Sequence, residues 1–116
     1  MNRLFVELPT FREDWKELGL NDDQLRELQK ELLQNPKAGK VIAGTGGVRK
    51  VRYALPGRGK SGSARVIYVD FEVHEKIYLL TAYAKNAQEN LTKAERNNMK
   101  AMVEAIESAL KGREQQ

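Results

Sequence analysis

Eight cations and no acidic residue lie between Glu31 and Asp70: Lys37, Lys40, Arg49, Lys50, Arg52, Arg58, Lys60 and Arg65. The whole chain has a formal charge of only +4, so the rest of it is net acidic and one uninterrupted segment holds all the excess positive charge. Cations gathered in this way suit a face that binds a polyanion. They stand inside alternating patterns and do not form a charge run. Val48 to Ala54 places Lys50 and Arg52 on one side of an extended chain, with Arg49, Val51 and Tyr53 on the other. Between the two alternating stretches, Gly57, Gly59 and Gly62 let the backbone come close to a phosphate, and Arg58 and Lys60 can reach its oxygens from that loop.

Other motifs do not fit their surroundings. Gly57, Gly59 and Gly62 spell GxGxxG, but a dinucleotide fingerprint needs a strand before and a helix after, and a strand pattern follows at Ala64. Gly59-Lys60-Ser61 imitates the end of a Walker loop, yet Ala54 stands where its first glycine belongs. A kinase loop does join two strands, but 116 residues cannot hold the catalytic lobe. The single histidine, His74, falls in an expected turn away from the basic cluster. With no cysteine and no histidine-carboxylate grouping, neither a metal site nor a cofactor is expected.

The elements that must position the cations can be read from periodicity. Arg3 to Leu8 alternates as a short strand, stopped by Pro9. Thr10 with Glu13 has the form of a capping box, followed by Phe11, Trp15 and Leu18 on one helical face and by Gly19. Asn21 with Gln24 repeats the cap, and Leu25, Leu28, Leu32 and Leu33 keep helical spacing up to Asn35-Pro36. Val48 to Ala54, Ala64 to Phe71 and the run IYLLTAYAK read as three strands joined by hairpins, with Arg65, Ile67, Val69 and Phe71 on one face. Tyr83 and Lys85 leave the third strand on one side. Thr92 with Glu95 caps a last helix bearing Met99, Met102, Val103, Ile106 and Leu110. The order is that of a small α+β domain, a helical hairpin on an antiparallel sheet with a C-terminal helix, spanning 1–110 with a polar tail at 111–116.

A chain of this length fits one domain with its own core, and 41% hydrophobic with 31% charged residues is ordinary for a globular protein. The start MNRLFVELPTF is not expected to be a signal peptide, since Glu7 and Pro9 break its apolar run. No stretch reaches membrane-spanning length, and the lack of cysteine suits a reducing, cytoplasmic compartment.

The segment GTGGVRKVRYALPGRGKSGSARVIY followed by IYLLTAYAKNAQENLT resembles the RelE/ParE toxin superfamily, with HigB-type members closest, over nearly the whole chain. The resemblance implies the toxin of a toxin-antitoxin module and a ribosome-dependent endoribonuclease that cuts mRNA in the A site and so inhibits translation. It implies a helix-turn-helix, HigA-like antitoxin, the ribosome and mRNA as partners, and no membrane. Lys50 and Arg52 fall on the family's paired basic strand residues and Arg65 on its phosphate arginine, with Arg49, Arg58 and Lys60 as further RNA-binding cations. Asn86 stands where RelE has another arginine and Thr92 near its catalytic tyrosine, so Tyr83 and Lys85 are the available substitutes.

Cleavage by the substrate's 2′-hydroxyl needs a base, an acid and charge stabilisation. Arginine keeps its proton, with a pKa above about 12, so Arg65 is cast as a bidentate clamp on the scissile phosphate. Lysine beside like charges releases its proton more readily, which leaves Lys50, Lys60 or Lys85, and then Tyr83, to move protons without a metal ion. Two other readings remain open at this stage. The same residues could bind RNA phosphate without catalysis, or the chain could poison DNA gyrase by protein binding as ParE members do, although that task requires no convergent cations.

Overall fold

The computed structural model describes residues 2–55, 62–88 and 90–114. Strand β1 (Leu4–Glu7) leads into helices α1 (Pro9–Glu17) and α2 (Asp22–Gln34). A short strand β2 (Lys40–Val41), strands β3 (Val48–Ala54), β4 (Ser63–Phe71) and β5 (Lys76–Ala84), and helix α3 (Lys93–Glu114) complete the order. This is the expected α+β domain, and β1, β3, β4 and β5 stand where the sequence pattern puts four strands. The helix that carries the methionine stripe continues four residues past Leu110, to Glu114.

The first helix begins differently from expectation. No Thr10–Glu13 box forms: α1 starts at Pro9, with Leu8 as an N-cap that makes no side-chain bond. Proline needs no N–H partner and has a helical φ built in, so it sets the start one residue before Thr10. The other two boxes are present. The Asn21 side chain accepts from the Gln24 N–H while Gln24 returns the bond, and Thr92 and Glu95 do the same ahead of α3.

The five strands form one sheet in the order β1-β5-β4-β3-β2. All neighbours are antiparallel except the edge pair β1 and β5, which run parallel. Helices cover both faces. Phe11 and Trp15 of α1 and Leu28 and Leu32 of α2 pack on Tyr53, Val66, Tyr68, Ile77 and Leu79. On the opposite face Met99, Val103 and Leu110 of α3 close over Val48, Ile67, Val69, Phe71 and Leu80. No helix among the described residues is long and apolar enough to cross a membrane.

Two local devices hold the basic strands in place. The buried Tyr68 hydroxyl donates to the Pro36 carbonyl at 2.8 Å and accepts from the Gly39 N–H at 2.9 Å, which ties the segment after α2 to β4. Position 39 has room only for glycine, because a Cβ there would lie 2.8 Å from the Lys50 carbonyl oxygen and 3.0 Å from the Tyr68 ring. The second device is a bulge. Ile67 pairs with Thr81 but Tyr68 pairs with Leu79, so Leu80 is an extra residue in β5.

Candidate nucleic-acid interface

Register brings Arg52, Arg65 and Tyr83 into one row across β3, β4 and β5, since Arg52 stands opposite Arg65 and Arg65 opposite Tyr83. One step along β3, Lys50 faces the same side, and the register sets Lys40 of β2 opposite it. Lys40, Lys50, Arg52 and Arg65 thereby line a cleft of about 350 Å³, together with Ala38, Val51 and Asn90. The basic β3 pair and the β4 arginine thus converge as alternation predicts.

Five cations elsewhere among the described residues have carboxylate partners. Arg3 pairs with Asp70, Arg12 with Glu7, Arg26 with Asp23, Lys37 with Glu72 and Lys111 with Glu107. Among the described residues no carboxylate lies within ion-pair distance of Lys40, Lys50, Arg52 or Arg65. Among the described residues, Lys50 Nζ meets the neutral Asn90 Oδ1, at 3.3 Å. Like charges directly opposite on neighbouring strands, as in Arg52 and Arg65, cost stability in the free protein. A bound polyanion turns that cost into attraction.

Arg65 is only 8% exposed, and its Nη1 is buried without a hydrogen-bond partner among the described residues. Tyr83 Oη is buried and equally unpartnered. Burial pushes the Tyr83 phenol above the ordinary tyrosine range, against the pull of the Arg65 charge, and Glu95 adds to the rise. The phenol is therefore neutral at physiological pH and able to donate. Phosphate oxygens are acceptors that suit both orphan donors.

The remaining residues singled out from sequence are placed elsewhere. Arg49 projects from β3 toward backbone, donating to the carbonyls of Gly39 at 2.7 Å and Lys37 at 3.3 Å, so it braces the segment before β2 and does not line the cleft. Lys85 follows β5 in a half-buried turn, its N–H bonded to the Ser63 carbonyl, and is not among the cleft residues. Arg58 and Lys60 lie outside the described residues. Thr92 is occupied in capping α3, where its N–H and the Gln88 amide hold the Glu95 carboxylate below its usual range. His74 sits in the 3₁₀ turn Glu72–His74 between β4 and β5. No group of three or more His, Cys, Asp or Glu side chains is gathered among the described residues.

Lys40 and Asn90 line the cleft, and the sequence alone assigned neither to it. Lys40 belonged to the basic segment, but the two-residue strand that presents it is too short for any alternation to show. Asn90 carries no periodic signal at all.

A family model described as "RelE toxin of RelE / RelB toxin-antitoxin system" matches residues 3–114. Among solved structures, a mutant of the E. coli toxin RelE in the free state is similar, with a TM-score of 0.56 and 16% identity over 77% of this chain and 90% of that one. The intact E. coli RelBE toxin-antitoxin complex contains a chain with a TM-score of 0.51, also at 16% identity, over 69% of this chain and 93% of that one. At that identity the two structures speak for the fold.

Proposed function

The chain belongs to the RelE toxin family of toxin-antitoxin systems, and on that premise we propose that it is a ribosome-dependent endoribonuclease that cleaves translated mRNA without a metal ion. The observation that supports this reading most is the row of Arg52, Arg65 and Tyr83. Arg52 and Arg65 line the basic cleft, and Arg65 and Tyr83, paired across β4 and β5, each hold a buried polar atom with no partner among the described residues, although Tyr83 itself is not part of the cleft lining.

In the proposed reaction the 2′-oxygen attacks the adjacent phosphorus, the bond to the 5′-oxygen of the next nucleotide breaks, and a cyclic phosphate forms. Arg65 holds the phosphate oxygens through its planar fork, and Arg52 adds charge as the transition state gathers negative charge. Lys50, which lines the cleft, is the first candidate to take the 2′-hydroxyl proton, and Lys85, which stands outside that lining, comes second. Tyr83, kept neutral by burial, gives a proton or a hydrogen bond to the departing oxygen. Lys40, Arg58 and Lys60 track the flanking backbone. In-line geometry, which a shallow cleft supplies poorly, comes from the ribosome holding the mRNA.

Such an activity needs silencing, and the reading includes a cognate antitoxin, expected to be a helix-turn-helix protein of the HigA kind encoded beside this chain. The E. coli relative is found in a complex named for toxin and antitoxin. Primer extension on cellular mRNA after induction, with and without translation, tests the function. Breaks that need translation and vanish when the neighbouring protein is co-expressed are the expected result. Growth arrest with intact mRNA and damaged gyrase complexes would favour the protein-binding alternative.

A further inference from the structure

Strict alternation along β5 would put Tyr83 on the wrong side of the sheet. Ile77 and Leu79 face the α1–α2 side, and Tyr78 and Leu80 face α3. Continued at period two, that pattern sends position 83 to the helical hairpin, away from Arg65. The structure instead has Ala82 on the hairpin side and Tyr83 on the α3 side. The extra residue Leu80 makes the switch, and everything after it is turned over.

A bulge leaves ladder groups that need another partner, and α1 provides one. Asp14, half-buried on α1, accepts hydrogen bonds from the Thr81 hydroxyl and from the Ala82 N–H, the latter at 3.1 Å. Both donors belong to the residues just after the inserted Leu80. Asp14 stands three residues before the end of α1, where a negative charge opposes the helix dipole, so helix stability gives no reason for a carboxylate there.

We infer that Asp14 is a positioning residue, which holds the β5 bulge in the arrangement that turns Tyr83 toward Arg65. The inference rests on the endoribonuclease reading for its effect on rate, but its structural content stands apart from it. Asp14 lines no part of the cleft, and the hydrogen bonds its carboxylate accepts come from Thr81 and Ala82, not from Arg65 or Tyr83. A carboxylate has acceptor sites enough for both donors at once. Asparagine keeps one oxygen for the Ala82 N–H, while alanine keeps none.

The test uses the full chain carrying Asp14→Ala or Asp14→Asn, read in two ways. Tyrosine-labelled NMR of the free protein follows the ring signals and titration of Tyr83, identified through Tyr83→Phe. Single-turnover cleavage of ribosome-bound mRNA is measured alongside the ribosome concentration giving half-maximal rate. For Asp14→Ala the Tyr83 signals move and its titration shifts toward that of a free tyrosine. The saturating rate falls by about 100-fold, as misplacement of a reacting group by about 1 Å does. The half-maximal ribosome concentration stays put, because Lys40, Lys50 and Arg52 are on other strands, and Asp14→Asn recovers most of the rate.

A folded Asp14→Ala protein whose Tyr83 signals and titration match wild type overturns the inference, whatever its melting temperature. If the wild-type chain cleaves no mRNA, the function fails and the Tyr83 signals alone decide the positioning role. Should Asp14→Ala not fold, Thr81→Val removes one of the two bonds in a side chain of similar shape and must move the Tyr83 signals in the same direction. Unchanged signals there also overturn it.

Discussion

Arg65 on β4 and Tyr83 on β5 stand directly opposite each other, and each has a buried polar atom with no partner among the described residues. Folding alone gains nothing from that arrangement, since a buried donor left unpaired costs about 1–3 kcal/mol. An oxygen-rich ligand would satisfy both. Tyr83→Phe removes one unpaired hydroxyl and keeps the ring that packs beneath α3. The free protein is therefore expected to melt at the same temperature or higher, while cleavage falls by about 100-fold or more. Calorimetry with single-turnover kinetics checks this, and a variant that loses stability but keeps its rate would make Tyr83 an ordinary core tyrosine.

Ribosome association should weaken steeply with salt if the unpaired cations contact phosphate, because each neutralised phosphate releases counterions. Lys40→Ala and Arg52→Ala should each flatten the plot of log affinity against log salt by about one unit. Arg49→Ala should leave the slope nearly as it was and loosen the fold, since its guanidinium is engaged by the Gly39 and Lys37 carbonyls. Equal effects of all three on the slope would argue against the cleft as the contact surface.

Alkaline pH should destabilise the fold through its tyrosines. Burial raises the pKa of Tyr53, Tyr68 and Tyr83 above the ordinary tyrosine value. The unfolded chain sheds these protons near pH 10 while the folded one keeps them. Stability is thus fully present below about pH 10 and declines as the pH rises through the folded values. Urea unfolding at pH values from about 8 to 11 measures the decline. Tyr68→Phe should start lower, because the Pro36 carbonyl and Gly39 N–H lose their partner, and then fall less steeply. A flat profile up to pH 11 would contradict the assignment.

Much of this was legible in the sequence because period-two alternation and helix caps are local signals. Val48 to Ala54 showed Lys50 and Arg52 on one face, and Arg65 joined them once its strand paired alongside. The signals failed where the decisive interaction was distant in sequence. Alternation alone could place Arg49 opposite Lys50, but not reveal that it grips the Gly39 and Lys37 carbonyls. The Leu80 bulge is invisible because IYLLTAYAK reads as an uninterrupted strand, and Asp14, which braces it, lies 68 positions from Ala82. Thr10 and Glu13 had the right spacing for a box, and Pro9 preceded them with a stronger start.

Arg65→Lys tests most directly whether Arg65 clamps the scissile phosphate of ribosome-bound mRNA. Lysine keeps the charge and gives up the planar fork, so charge attraction survives and bidentate geometry does not. Measured as single-turnover cleavage on programmed ribosomes, with binding followed separately, the variant should associate as wild type does and cleave at least about 100-fold more slowly. Cleavage at the wild-type rate would mean that Arg65 holds no reacting phosphate and that the basic face is a docking surface.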